Sequence, residues 1–166
     1  FSSDVDLMFI SDGQSQDDSL LKKVQSLCGA LAKPTNDGFL YRVDLRLRPN
    51  GQAGALFLSY DDTMSYYRNG ADFWEYQMLI KARPVAGNFD LAQSFISSVQ
   101  PLCYRTDWPK DGISRIQEIK RLYENETEKR GEKDNNIKMG TGGIRDIEFT
   151  VQMIQLLNGH ALAELR

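Results

Sequence analysis

Residues 41–48, YRVDLRLR, alternate apolar and charged side chains without a break. A period of two fits an extended strand with one face turned inward. Tyr41, Val43, Leu45 and Leu47 then face one way, and Arg42, Asp44, Arg46 and Arg48 the other. Pro49-Asn50-Gly51 stops the run. A second strand-like segment opens the chain, where Asp4 and Asp6 flank Val5 and lead into LMFI. Residues two apart share a strand face, so these two carboxylates sit side by side. Two carboxylates about 4 Å apart repel by about 4 kcal/mol at an effective dielectric of about 20. A third adds two further pairs, and the sum rivals the whole net stability of a domain, about 5–15 kcal/mol. A divalent cation removes that cost, and hard oxygen ligands at a strand edge suit magnesium while leaving positions open for phosphate. Asp4 and Asp6 supply two such ligands, and Asp44 on the other strand could supply the third. The plain alternative is an exposed Asp4, an arginine partner for Asp6, and a surface ladder of Asp44 with Arg42 and Arg46, which would be worth little.

The rest of the chain reads as α+β. A strand is expected over 4–10, then a helix to about Ala32 with Asp17 or Asp18 as its cap. GALFLS reads as a partner strand, making 39–59 a hairpin. Helices are expected next at 60–68 and 72–82, and KARPVAGN breaks the pattern. Beyond it, Leu91, Phe95, Ile96 and Val99 mark one helix. Ile113, Ile116, Ile119 and Leu122 mark a second, with a charged tail over 124–134. Ile144, Ile147, Val151 and Ile154 form the stripe of a third. A soft boundary near 88 divides a catalytic core, 1–88, from a partial helical domain, 89–166.

Composition narrows the classes. A net charge of −3 argues against a dedicated nucleic-acid binder. No apolar run approaches the length of a membrane span. Cys28 and Cys103 show no CxxC spacing, so a reducing cytoplasm is the expected location. His160 is the only histidine, which leaves histidine-based nucleophilic catalysis with little to stand on. The chain begins without Met in strand-like sequence and is expected to be a piece of a longer protein.

The pairing of SSDVDLMFI with YRVDLRLRP resembles the nucleotidyltransferase superfamily built on the DNA polymerase β palm. Within it, FSSDVDL, DGFLYRVDLRLRPNGQAGAL, KARPVAGN and NIKMGTGGIRDIEFTVQ resemble the glutamine synthetase adenylyltransferase family, over nearly the whole chain. The resemblance implies a polymerase-β-like mixed sheet with flanking helices, followed by a helical bundle segment. It implies Mg2+ or Mn2+ held by Asp4, Asp6 and Asp44, and a small-residue loop, Ser2 and Ser3, against nucleotide phosphates. It also implies ATP or ADP as nucleotide, with glutamine synthetase and a PII signalling protein as partners. The family's two halves add AMP to a tyrosine of glutamine synthetase or remove it by phosphorolysis. The lead-in NIKMGTGGIRDIEF looks more like the removing half. The adding half, and a catalytically idle docking module, are the alternatives. The glycine-rich helix that precedes the family's first strand is absent from this chain, so part of the nucleotide pocket is expected to lie upstream.

Several residues carry two readings. Arg46 and Arg48 could hold phosphate as guanidinium forks, or pair with Asp44 and cap the strand end. Lys81 and Arg83 are weaker phosphate candidates at a helix end that favours cations. GTGG before a helix could cradle an anion, yet Asp146 and Glu148 in its first turn favour a structural turn, with Arg145 and Glu148 as an i, i+3 pair. Tyr66, Tyr67, Phe73, Trp74 and Tyr76 read as core rather than as a base-stacking platform.

Overall fold

The computed structural model describes residues 4–13, 17–36, 38–108, 114, 118, 121, 137, 138 and 142–166. The expected helix 113–122 and the charged stretch 124–134 lie largely or wholly outside these residues. The architecture is α+β. Among the described residues, four short strands, β1 (Val5–Asp6), β2 (Phe9–Ser11), β3 (Val43–Asp44) and β4 (Phe57–Ser59), precede or interleave with five helices whose bounds are set. These are α1 (Asp18–Ala32), α2 (Tyr60–Asn69), α3 (Phe73–Leu79), α4 (Phe89–Cys103) and α5 (Ile144–Asn158). Among the described residues no helix is long and apolar enough to cross a membrane.

The helix starts are set by capping chemistry. The Asp17 carboxylate accepts from the amides of Ser19 at 2.8 Å and Leu20 at 3.0 Å, which starts α1. Ser59 Oγ accepts from the Asp62 amide at 3.1 Å and starts α2. Asp72 and Glu75 form a reciprocal capping box on α3, with the Asp72 amide donating to Glu75 Oε2 at 2.7 Å.

The strands pair in parallel, β1 with β3 and β2 with β4. This corrects the expected hairpin over 39–59: β4 leaves the neighbourhood of β3 and joins β2, with Phe9 opposite Phe57. The strand expected over 4–10 likewise divides into β1 and β2. The alternating run contributes only Val43–Asp44 to a strand. Phe39, Leu40 and Tyr41 are exposed, and after Asp44 the chain turns instead of extending.

The described chain divides into two compact units, 1–71 with 83–98, and 72–82 with 99–166. Residue 88 falls inside the first. The core of the first unit gathers Val24, Phe57, Met64, Tyr67 and Phe95. Tyr67 is fully buried, with its ring 5.9 Å from that of Phe95 and its hydroxyl 3.5 Å from Met8 Sδ.

The second unit is helical. Trp108 meets Phe73 and Tyr76 edge-on at 4.3 and 5.3 Å, and donates from Nε1 to the Leu156 carbonyl at 3.3 Å. The buried amides of Gln77 and Gln152 bond at 2.8 Å. On α5 it is Gln152 and Leu156 that turn inward, whereas Ile144, Ile147, Val151 and Ile154 lie exposed. The expected i, i+3 pair of Arg145 and Glu148 gives way to a bridge from Lys81 Nζ to Glu148 at 2.6 Å.

Cys28 and Cys103 are both free thiols. Burial pushes the Cys103 thiol up to about 12 from 9.0. A folded value above the unfolded one gives stability that is complete below pH 9.0 and is lost as pH rises toward about 12. Three pH units correspond to about 4 kcal/mol. Tyr76 and Tyr104, both raised by burial, act in the same direction. Urea melts between pH 8 and pH 11 are expected to show a steep alkaline loss that Cys103→Ala flattens.

Candidate active site

The two acidic segments meet as adjacent strands. β1 lies parallel to β3 with Val5 opposite Val43 and Asp6 opposite Asp44. The Val5 amide donates to the Arg42 carbonyl at 2.7 Å and the Leu7 amide to the Asp44 carbonyl at 2.9 Å, which locks that register. Register partners on neighbouring strands project to the same side of the sheet. Asp6 and Asp44 therefore share a face, and Asp4, two residues before Asp6, lies at the end of that face. Asp4 and Asp6 are exposed, so this edge is open to a ligand from solvent.

Arginines engage Asp4 and Asp44. Arg42 Nε lies 2.6 Å from Asp4 Oδ1. Asp44 accepts from the Arg46 amide at 2.8 Å, from Arg46 Nε at 3.0 and 2.8 Å, and from the terminal nitrogen of the same fork. The Arg46 fork holds the Asp44 carboxyl below its ordinary value of 3.8, against the opposing effect of partial burial. A lowered folded value contributes stability above the ordinary carboxylate range, and that contribution is lost as pH falls through the lowered value. Among the described residues, no group of three or more His, Cys, Asp or Glu side chains gathers closely enough to hold a metal ion. Carboxylate oxygens are the donor type a hard divalent cation takes. The side chains of Asp4 and Asp44 themselves rest on arginine.

The remaining candidates take other places. Ser2 and Ser3 lie outside the described residues. Arg46 is bound to Asp44, while its side chain stays 65% exposed. Arg48 turns into its own loop. Its guanidinium donates to the carbonyls of Leu45 at 2.6 Å, Gln52 at 3.1 Å, Gly54 at 3.2 Å and Ala55 at 3.0 Å. That is the strand-end capping arrangement. Lys81 is engaged with Glu148. At the start of α5 the Gly142 amide donates to Asp146 Oδ2 at 2.8 Å, so a carboxylate of the chain itself fills the anion position of GTGG. Sequence reasoning missed the Arg42–Asp4 contact, which follows from the parallel pairing that brings residue 42 beside residue 4.

The model for glutamate-ammonia ligase adenylyltransferase matches residues 1–98, which contain every described residue of this site. The chain belongs to the glutamate-ammonia ligase adenylyltransferase family. A second model, for GlnD PII-uridylyltransferase, matches residues 114–166, the stretch that carries α5. Among curated relatives, the bifunctional glutamine synthetase adenylyltransferase/adenylyl-removing enzyme of Hahella chejuensis is 40% identical over 95% of this chain and 17% of its own length. The protein of that name from Psychromonas ingrahamii is 38% identical over 100% of this chain and 18% of its own length. The one from Mycolicibacterium smegmatis is 36% identical over 96% and 16%. The chain thus spans about a sixth of the length of the curated relatives it matches.

Proposed function

We propose that this chain carries the metal-dependent centre of an adenylyl-transfer reaction on glutamine synthetase, run in the removing direction. The observation that supports it is the register of Asp6 with Asp44 on an exposed strand edge. The two parallel strand pairs are read as part of a polymerase-β-type palm, and the helical unit as part of the bundle that comes after it. Asp4, Asp6 and Asp44 would hold Mg2+ or Mn2+, which when bound supplies charge neutralisation at the adenylyl phosphoryl oxygens. Asp44 takes its place in that set by releasing Arg46. The freed Arg46 fork is then available to an oxygen of the incoming phosphate. Ser2 and Ser3, which precede β1 in the sequence, would be the small-residue segment offered to nucleotide phosphates.

In the reaction a phosphate oxygen attacks the adenylyl phosphorus in line, and a new P–O bond forms. The bond from phosphorus to the tyrosine oxygen breaks, that oxygen takes a proton, and ADP leaves. No histidine base is required. The cytoplasm is the location, and a PII protein the regulator, that this reading implies.

The names of the relatives carry both activities, so the adding direction is the second reading. Incubating the protein with adenylylated glutamine synthetase and inorganic phosphate separates the two. ADP release with loss of AMP from the tyrosine supports removal. ATP consumption with a newly modified tyrosine supports addition. Neither product, together with no Mn2+ binding, supports an idle docking module. A further expected result is that Arg46→Gln binds Mn2+ about threefold to tenfold more tightly, because a competing charged hydrogen-bond donor is gone, while its KM for phosphate rises. Calorimetry and phosphate titration check both.

A further inference from the structure

We propose that Arg48 is a positioning residue for the carboxylate site: it holds Asp44 against Asp6 by tying the exit of β3 to the entry of β4. This rests on the metal-site reading above and names a residue that acts on the site without touching it.

β3 has two residues, too few to fix its own place. The chain then runs through turns and a short 3-10 helix, Gly51–Ala53, before β4 begins at Phe57. Arg48 gathers that loop. One arm of the fork takes the Leu45 carbonyl, directly after Asp44, while Nε and the other arm take Gln52, Gly54 and Ala55, directly before β4. A planar guanidinium can serve carbonyls on both sides at once, which an ammonium on a flexible stem does poorly.

The loop is shaped to deliver those carbonyls. Asn50 and Gly51 both adopt left-handed backbone, at φ 61° and 58°. Pro49 is buried, and the Gly51 amide donates to the Arg48 carbonyl at 2.8 Å. A Cβ on Gly54 would lie 1.9 Å from the Pro49 carbonyl oxygen, so only glycine closes the turn there. The string RPNGQAG is thereby accounted for as one device around one side chain.

Three roles for Arg48 give three different signs. A cation that merely adds positive charge near the site would tighten Mn2+ binding when removed. A phosphate ligand would leave Mn2+ binding alone and weaken phosphate. A positioning residue weakens Mn2+ binding when removed, despite the loss of a repelling charge.

The test is Mn2+ calorimetry on the full 166-residue chain with Arg48→Ala, Arg48→Lys and Gly54→Ala, each checked for fold by circular dichroism. Hydrogen exchange at the Leu7 amide, which donates to the Asp44 carbonyl, reads the strand pairing with no metal present. Arg48→Ala and Gly54→Ala are expected to weaken Mn2+ about tenfold or more, with Arg48→Lys between them and the parent chain, and all three are expected to exchange faster at Leu7. If Arg48→Ala fails to fold, Arg48→Lys and Gly54→Ala decide the matter. Unchanged or tighter Mn2+ binding in a folded variant overturns the proposal. A parent chain that binds no Mn2+ while Arg48→Lys exchanges faster at Leu7 sinks the metal reading and retains Arg48 as the residue that places Asp44.

Discussion

In the proposed removing reaction, Asp44→Asn is expected to lower ADP formation by about a thousandfold or more while lowering the melting temperature only modestly. Loss of one cation ligand forfeits several kcal/mol of charge stabilisation in the transition state, and each 1.36 kcal/mol is about tenfold in rate. The fold has a modest stake in that carboxylate. Its partner Arg46 is mostly exposed and stays solvated when the pair is broken, while the Asp44 side chain is only 13% exposed, and a hydrogen bond to a charged group is worth about 1.5–3 kcal/mol. Asparagine also keeps an oxygen that can accept from the Arg46 amide, as Asp44 Oδ1 does at 2.8 Å. Asp6→Asn is expected to behave alike, since Asp6 is exposed on the neighbouring strand. A rate assay beside a thermal melt checks the dissociation of activity from stability. A loss of activity that tracks a loss of fold would count against the assignment.

Tyr67→Ala is expected to be the most destabilising single change in the first unit, at about 3–5 kcal/mol. Its side chain is wholly buried. Its ring packs against Phe95 of α4 and stands edge-on to Tyr66 at 5.4 Å, so truncation opens a cavity in the middle of that core. The hydroxyl contributes far less, since its partner is a thioether sulfur at 3.5 Å and sulfur is a weak acceptor. Tyr67→Phe is therefore expected to cost under about 1 kcal/mol. Because Met8 lies between β1 and β2, the alanine variant is also expected to loosen the strand that carries Asp6. Urea denaturation of the three proteins checks the order, and equal losses for alanine and phenylalanine would overturn this account of the core.

Helices were the legible part of the fold. The 3.6-residue period in α4 and α5 and the cap at Asp17 are local properties, decided within a few residues. Strand partners were not legible. The alternation of 41–48 marks extended chain, but which strand β4 joins depends on contacts some fifty residues away in sequence, Phe9 with Phe57 among them. The apolar stripe of α5 was legible as a stripe, but period does not say which side meets a neighbour, and its residues lie exposed. In the site, the aspartates announced themselves by the cost of placing like charges together. The arginines did not divide so readily. Arg46 and Arg48 look equivalent in the alternation, and they part ways because two left-handed residues and Gly54 bend the succeeding loop back over Arg48 alone.

The central claim is that one divalent ion joins the two acidic strands. An anomalous-difference map from crystals grown with Mn2+ tests it directly. The account predicts a peak about 2.0–2.3 Å from carboxylate oxygens of both Asp6 and Asp44, with Arg46 withdrawn from Asp44. A map without that peak, with Arg46 still gripping Asp44 at saturating Mn2+, would contradict it.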